Sequence, residues 1–283
     1  LSNLFCRVNH KDTKDKNCIR QFNIDKAVVF FFESFTSNPL IPIPLILYSS
    51  NPILMISAII VAGGKGIRMN NKTRKQYMLL GGRPVLEHTL MLFGTCNEID
   101  KIYLVVPEED VEVCRENLLS SINLHKKIHL VPGGSERQES VYNGLTAIED
   151  KYGIVLIHDG VRPFISHEQI SACIAGASEC GACIPGIPAF DTLKSVNSSG
   201  YIDKTLKRDT VWLAQTPQAF QYDLILNAHE KARKNGYVGT DDASLVEKMG
   251  EKVKIITGSR FNIKITTPDD LVLAEAIYGC ISD

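Results

Sequence analysis

From Met55 onward the chain alternates short continuous apolar runs with longer stretches whose apolar residues recur every three or four positions. The runs at Ser57–Val61, Ile102–Val106, Ile128–Val131, Ile154–His158, Ala182–Ile187 and Val253–Ile256 predict strands. The stretches Val85–Thr95, Val111–Ser120, Arg137–Ala147, His167–Glu179 and Tyr222–Lys234 predict helices. Strands that are apolar at successive positions need cover on both faces. The repeated β-α-β order therefore predicts an α/β fold with a doubly wound, mostly parallel sheet. Ligands of such sheets sit beyond the carboxyl ends of the strands. That puts the glycine-rich loop after the first strand and His158-Asp159-Gly160-Val161-Arg162-Pro163 after the fourth at one rim.

Two segments depart from this rhythm. Residues 188–211 hold two alternating runs around Asn197-Ser198-Ser199-Gly200, which predicts a long hairpin, an arm able to pack on a second subunit. Residues 1–54 mix a Lys/Asp-rich patch, Lys11 to Lys16, with the apolar pieces AVVFFF and PLIPIPLILY. Pro39, Pro42, Pro44 and Pro52 interrupt the second piece, and no apolar run approaches the ~20 residues of a membrane span. Nor is there a signal-peptide pattern. We read 1–54 as an extension of uncertain origin, poorly ordered or loosely packed, and 55–283 as the compact domain. Near the carboxyl end, Thr267 before Pro268 with Asp269 and Asp270 marks a helix start.

Composition narrows the chemistry. The formal net charge of the 283 residues is -1, which argues against general nucleic-acid binding and leaves any anion site to a local cluster. The eight cysteines are spread thinly, so we expect reduced thiols and a cytoplasmic protein. Cys180-Gly-Ala-Cys183 lacks a second pair and reads as small packed residues at a helix-to-strand junction rather than a zinc site.

The stretch Ala58 to Met69, AIIVAGGKGIRM, sends an apolar strand straight into glycines and cations. Gly63-Gly64-Lys65-Gly66 is not a P-loop, because no Gly-Lys-Ser/Thr closes it. Met69 stands where a dinucleotide fingerprint needs a third glycine. Glycines let backbone N–H groups converge on anionic oxygens. With Arg68 and Lys75 close behind, the loop reads as a cradle for a triphosphate.

In chain order, AGGKGIRM…KQY, GGSERQES, HDGVRPF, DTLK, KRDTVWLAQTPQAF, GTDDAS and NIKITTPDDL resemble the 2-C-methyl-D-erythritol 4-phosphate cytidylyltransferases. The resemblance runs from Met55 to about Tyr278. It implies a Rossmann-like nucleotidyltransferase domain, homodimeric through the β-arm with shared active sites. The implied reaction joins CTP and a sugar-alcohol phosphate with the help of Mg²⁺. By the same resemblance Arg68, Lys75 and Lys264 stabilise the reacting phosphorus. Ala62, Gly63, Gly64, Gly66, Gly134, Ser135, Arg137, Ser140 and Asp159 hold CTP. Asp159, a carboxylate ending an apolar strand at the rim, is a natural partner for Mg²⁺ or for ribose. Arg162, Thr192, Arg208, Thr216, Thr240 and Asp241 hold the acceptor. Lys264 sits in a β-like run. Ser135 stands where the family carries aspartate, and Ser135-x-x-Gln138 also reads as a helix cap. The other readings weighed are a CDP-ribitol-forming cytidylyltransferase acting on ribitol 5-phosphate and a nucleotide-binding regulator without activity.

Overall fold

The structure, a computed structural model, describes residues 54–63 and 74–282, together with two strands of the extension, Asn17–Ile24 and Ala27–Ser34. The chain separates into two compact units, Leu1–Ile53 and Leu54–Asp283. In the first unit the two strands pair antiparallel, from Asn17 opposite Ser34 to Ile24 opposite Ala27. The rest of the extension, on which the expectation of loose packing falls, lies outside the described residues.

The second unit is built on one mixed sheet. Its strands are β1 Ile56–Val61, β2 Lys101–Val106, β3 Ile128–Pro132, β4 Ile154–Asp159, β5 Ala182–Pro188, β6 Trp212–Ala214, β7 Gln218–Gln221 and β8 Lys254–Thr257. The helices are α1 Val85–Thr95, α2 Arg137–Ala147, α3 His167–Cys180, α4 Tyr222–Lys234, α5 Asp242–Lys248 and α6 Pro268–Ser282. β1 pairs parallel with β2 and β4, and β2 pairs parallel with β3. β8 runs parallel to β5. β7 lies antiparallel between β4 and β5, and β6 pairs antiparallel with β5.

Alternation along the strands sorts the core into two layers. Ala58, Ile60, Leu104 and Leu156 face α1 and α3, where Leu86, Leu90, Phe93, Ile170 and Cys173 are buried. Ile59, Tyr103, Val105, Val155 and Ile157 face α2, α4 and α5 through Val141, Leu145, Ile225 and Val246. Apolar side chains on both faces are why these strands read as continuous runs. Gly144 lets α2 approach closely: a Cβ there would lie 2.8 Å from Cγ2 of Ile59. A third cluster, Leu80, Val85, Val161, Ile265 and Ala274, docks α6 beside the loop that follows β4. Among the described residues no helix is long and apolar enough to cross a membrane.

Three sequence expectations need correction. The segment predicted as one helix over Val111–Ser120 is broken: a π-helical turn, Cys114–Leu118, lies between single α-turns. That turn sets Sγ of Cys114 3.1 Å from the hydroxyl of Tyr77. Lys264 is not on a strand. Ile263 and Ile265 turn into the third cluster on either side of it, which gives a period of two without a sheet partner. Helix α2 begins after Glu136 and has no side-chain cap; Ser135 instead donates its N–H and hydroxyl to Oε2 of Glu139, at 2.8 and 2.9 Å.

Candidate active site

Register alone brings the loops together. Val61 at the end of β1 stands opposite Asp159 of β4 and Val105 of β2, and Val106 stands opposite Pro132 of β3. Ladder-like bonds carry the chain past the strand ends: Ala62 N to Val105 O at 2.8 Å, Gly133 N to Val106 O at 2.7 Å and Gly160 N to Val61 O at 2.9 Å. Ser140 of α2 lies buried between two of these loops. It accepts from Gly134 N and donates to Glu136 O, both at 3.0 Å. A Cβ on Gly63 would come within 3.1 Å of its Oγ, and one on Gly133 within 3.2 Å. Glycine at both places is what permits two loops to close on one hydroxyl.

Residues 64–73 lie outside the described residues, and with them the roles predicted for Gly64, Gly66 and Arg68. Lys75 opens a single 3₁₀ turn, Lys75–Tyr77, that is fixed on both sides. Gln76, buried, donates to Ala62 O at 2.8 Å, Tyr77 donates to Oδ2 of Asp110 at 2.9 Å, and Arg74 pairs with Glu109 and Asp110. Lys75 is thereby anchored next to the first residue of the glycine loop.

Three cations converge on one carboxylate at this rim. Oδ2 of Asp159 lies 2.8 Å from Nζ of Lys264 and 3.5 Å from Nε of Arg162, and Oδ1 lies 3.2 Å from Nε of Arg137. Burial alone would raise the carboxyl pKa, but Arg137, Lys264 and Arg162 outweigh it and hold Asp159 well below the usual carboxylate range. Burial pulls Arg162 down, and its Nε lacks a hydrogen-bond partner while NH1 donates to Asn262 O at 2.7 Å.

Behind the carboxylate runs a chain of neutral hydrogen bonds. Asp159 N donates to Thr216 Oγ1 at 3.2 Å, Thr216 pairs with Nδ1 of His158 at 2.9 Å, and Nε2 of His158 faces Arg162 O at 3.0 Å. The carbonyl can only accept, so Nε2 carries the hydrogen and Nδ1 accepts from the hydroxyl. Burial pushes the His158 pKa down to about 4. His158 is thus a packed strand-end residue. Asn262 Nδ2 donates to Thr216 O at 2.9 Å, and Ile265 N donates to Val161 O at 3.0 Å; together they fix the segment that presents Lys264.

A second carboxylate lies deeper. NH1 of Arg137 reaches Oδ2 of Asp242 at 2.8 Å, and Nε2 of His229 lies 3.1 Å from its Oδ1. Asp241 caps α5 by accepting from Ser244 N at 2.9 Å, and its Oδ2 accepts from Nε2 of Gln218 at 2.7 Å. Oε1 of Gln218 accepts from the backbone N–H groups of Asp242 and Ala243. Thr240 is exposed just ahead of this helix. On the arm, strands Lys194–Val196 and Ile202–Thr205 pair antiparallel. Thr192 and Arg208 are exposed there, and Arg208 donates to Phe190 O at 2.9 Å.

The fold therefore unites Ala62, Gly63, Gly134, Ser140, Arg137, Asp159, Arg162, Lys264 and Thr216, with Lys75 and Asp241 at the margins. Thr192 and Arg208 stand outside the ion pairs around Asp159. Sequence reasoning missed Gln76, Gln218, His229, Asp242 and Asn262, which shape the site from behind. Asp242, inside GTDDAS and at a helix start, carried a readable signal; the others look like ordinary polar residues. Asp159 offers the hard oxygens that Mg²⁺ takes, but both are engaged by cations here, Oδ1 by Arg137 and Oδ2 by Lys264 and Arg162, so the carboxylate fits the ion only once Lys264 has turned to a substrate phosphate.

A mostly parallel sheet with glycine-rich loops and clustered cations at its carboxyl rim is a Rossmann-like nucleotidyltransferase. The chain belongs to the 2-C-methyl-D-erythritol 4-phosphate cytidylyltransferase family, whose model matches residues 56–279. It is 51% identical over 221 residues to the enzyme of that name from Syntrophus aciditrophicus, covering 78% of this chain and 94% of the relative. A crystal structure of 4-diphosphocytidyl-2C-methyl-D-erythritol synthase from Anaerococcus prevotii superposes with a TM-score of 0.72 at 38% identity, covering 80% of this chain and 96% of that one. The Francisella tularensis cytidylyltransferase superposes at 0.68 with 33% identity, covering 79% and 99%.

Proposed function

We propose that this chain transfers the cytidylyl group of CTP to 2-C-methyl-D-erythritol 4-phosphate. The products are 4-diphosphocytidyl-2-C-methyl-D-erythritol and pyrophosphate. An oxygen of the acceptor phosphate attacks the α-phosphorus in line, a P–O bond forms, and the bond to the β-phosphate oxygen breaks as pyrophosphate leaves. A phosphate monoester is already a competent nucleophile near neutral pH, so no general base is required. The protein's task is to bring two polyanions together and to stabilise charge at the α-phosphoryl oxygens.

The observation that carries the reading is the convergence of Lys264, Arg137 and Arg162 on Asp159 at the rim where the loops after β1 and β3 begin. Lys264 is partly exposed and Asp159 is not, so the lysine can turn toward an incoming phosphoryl oxygen while the carboxylate stays. Lys75, with Arg68, serves the same phosphorus from the glycine-loop side, and Gly64 and Gly66 cradle the triphosphate. Ala62, Gly63, Gly134, Ser135 and Ser140 line the base pocket through backbone groups. Arg137 faces base and ribose. Asp159 would hold Mg²⁺ together with substrate oxygens and waters, and the ion would supply neutralisation of phosphate charge.

Arg162, Thr216, Thr240 and Asp241 belong to the acceptor side in this reading, with Thr192 and Arg208 supplied by the arm. An arginine grips a phosphate with two parallel hydrogen bonds where a lysine offers a point charge. The arm's exposed apolar residues support a homodimer with shared sites, and reduced buried thiols support a cytoplasmic setting. Ribitol 5-phosphate is the disfavoured acceptor. Pyrophosphate release measured with CTP and each acceptor tests the reading: turnover with methylerythritol phosphate is expected, and turnover with ribitol phosphate alone would overturn it.

A further inference from the structure

Arg137 serves two acids with different edges. Its NH1 goes to Asp242 and its Nε to Oδ1 of Asp159, which leaves Oδ2 of Asp159 for Lys264 and Arg162. Asp242 is buried to 1% exposure and sits at the start of α5, directly after Thr240 and Asp241. His229 of α4, fully buried, points Nε2 at Oδ1 of Asp242; an ionised carboxylate only accepts, so Nε2 carries the hydrogen. Gln218 fixes the backbone of the same turn. Four elements, β4, α2, α4 and α5, thus meet in one chain of ion pairs and hydrogen bonds.

A guanidinium left with one carboxylate prefers to take both of its oxygens in a fork. Asp242 holds NH1 and so fixes the plane of the guanidinium, in which Nε meets Oδ1 of Asp159 and no bond from Arg137 reaches Oδ2. We propose that Asp242, oriented by His229, is a positioning residue: it holds Arg137 on one oxygen of Asp159 and so keeps the other oxygen for Lys264. Because Asp242 adjoins Thr240 and Asp241, it also locks the nucleotide side of the site to the acceptor side. The inference rests on the cytidylyl-transfer reading.

The test is steady-state kinetics of Asp242→Asn in the full chain, with folding checked by circular dichroism. Misplacing reacting groups by about 1 Å costs on the order of 10²-fold, so kcat should fall by about 10- to 100-fold while KM for the acceptor changes little. If Asp242 acts through Lys264, the substitution should cost less than about 3-fold when added to Lys264→Ala. A role in packing alone would lower the melting temperature and leave kcat per folded molecule untouched. A folded Asp242→Asn with kcat within about 2-fold of wild type, or an equal loss in both backgrounds, overturns the proposal. Should Asp242→Asn not fold, His229→Gln and His229→Leu carry the test. Gln keeps a donor near Nε2 and should stay close to wild type, Leu should lose at least about 10-fold, and equal values overturn the proposal. A wild type inert with CTP and methylerythritol phosphate would defeat the functional reading itself; an active wild type matched by Asp242→Asn defeats only the positioning role.

Discussion

Nζ of Lys264 lies 2.8 Å from Oδ2 of Asp159, although the two residues are joined by neither a strand pairing nor a shared helix. The lysine is delivered by a two-residue span between two fixed points, Asn262 on Thr216 and Ile265 on Val161. Such a cation is oriented before substrate arrives. Lys264→Ala should lower kcat by about 10²–10³-fold, the usual cost of removing one preorganised charge. Its melting temperature should stay within a few degrees of wild type, because the side chain is partly exposed. Kinetics and a thermal melt on the same preparation check both halves.

His158 makes stability depend on pH in a defined window. Burial pushes its pKa in the folded protein down to about 4, and the unfolded chain protonates near 6.5. Between those values the unfolded state binds more protons, so stability is full above about pH 6.5 and falls as pH drops toward 4, by on the order of 3 kcal/mol. Asp159 and Asp242 act lower: their depressed pKa values give stability that is present above about pH 4 and lost below it. Urea titrations from pH 4.5 to 7.5 should show the first slope. His158→Gln, which keeps a donor toward Arg162 O, should flatten it; an unchanged slope would assign the effect elsewhere.

Gly153 enters β4 with φ +96°, and a Cβ there would lie 2.0 Å from the carbonyl oxygen of Met55. Neither the backbone angle nor the contact can relax locally. Gly153→Ala should destabilise the domain by about 2 kcal/mol or more, seen as a lower urea midpoint with unchanged slope.

The arm bears Val196, Tyr201 and Ile202, each more than half exposed. Apolar residues gathered on an exposed hairpin are what the proposed homodimer would bury. In the proposed homodimer, wild type should sediment as a dimer and Ile202→Asp as a monomer with the circular dichroism spectrum kept. Under the proposal that Thr192 and Arg208 serve a neighbouring site, that monomer should turn over at least about 10²-fold more slowly.

Helices α1, α2 and α4 were legible to the residue because their apolar faces repeat cleanly against a buried sheet. β7 was not: its four residues carry glutamine at both ends and Pro217 ahead, which hides the apolar pair between them. α5 is only seven residues long, too short for periodicity to declare itself. Within the site, Asp159 stood out as an acid ending an apolar strand. Lys264 did not, since a lysine between two isoleucines looks like an exposed strand position; only family resemblance marked it. Asp242 carried a signal in its motif, but its pairing with His229 did not show, because that lies in a contact between α4 and α5, and a sequence does not display which polar residues will be buried together.

The central claim is direct displacement between two phosphates pinned by cations, without a covalent enzyme intermediate. The stereochemical course at phosphorus tests it most directly. Single-diastereomer α-thio-CTP should react with methylerythritol phosphate to give product with inverted configuration at the α-phosphorus, read by ³¹P NMR. Retention would require two displacements, and hence a nucleophile on the protein, and would contradict the account.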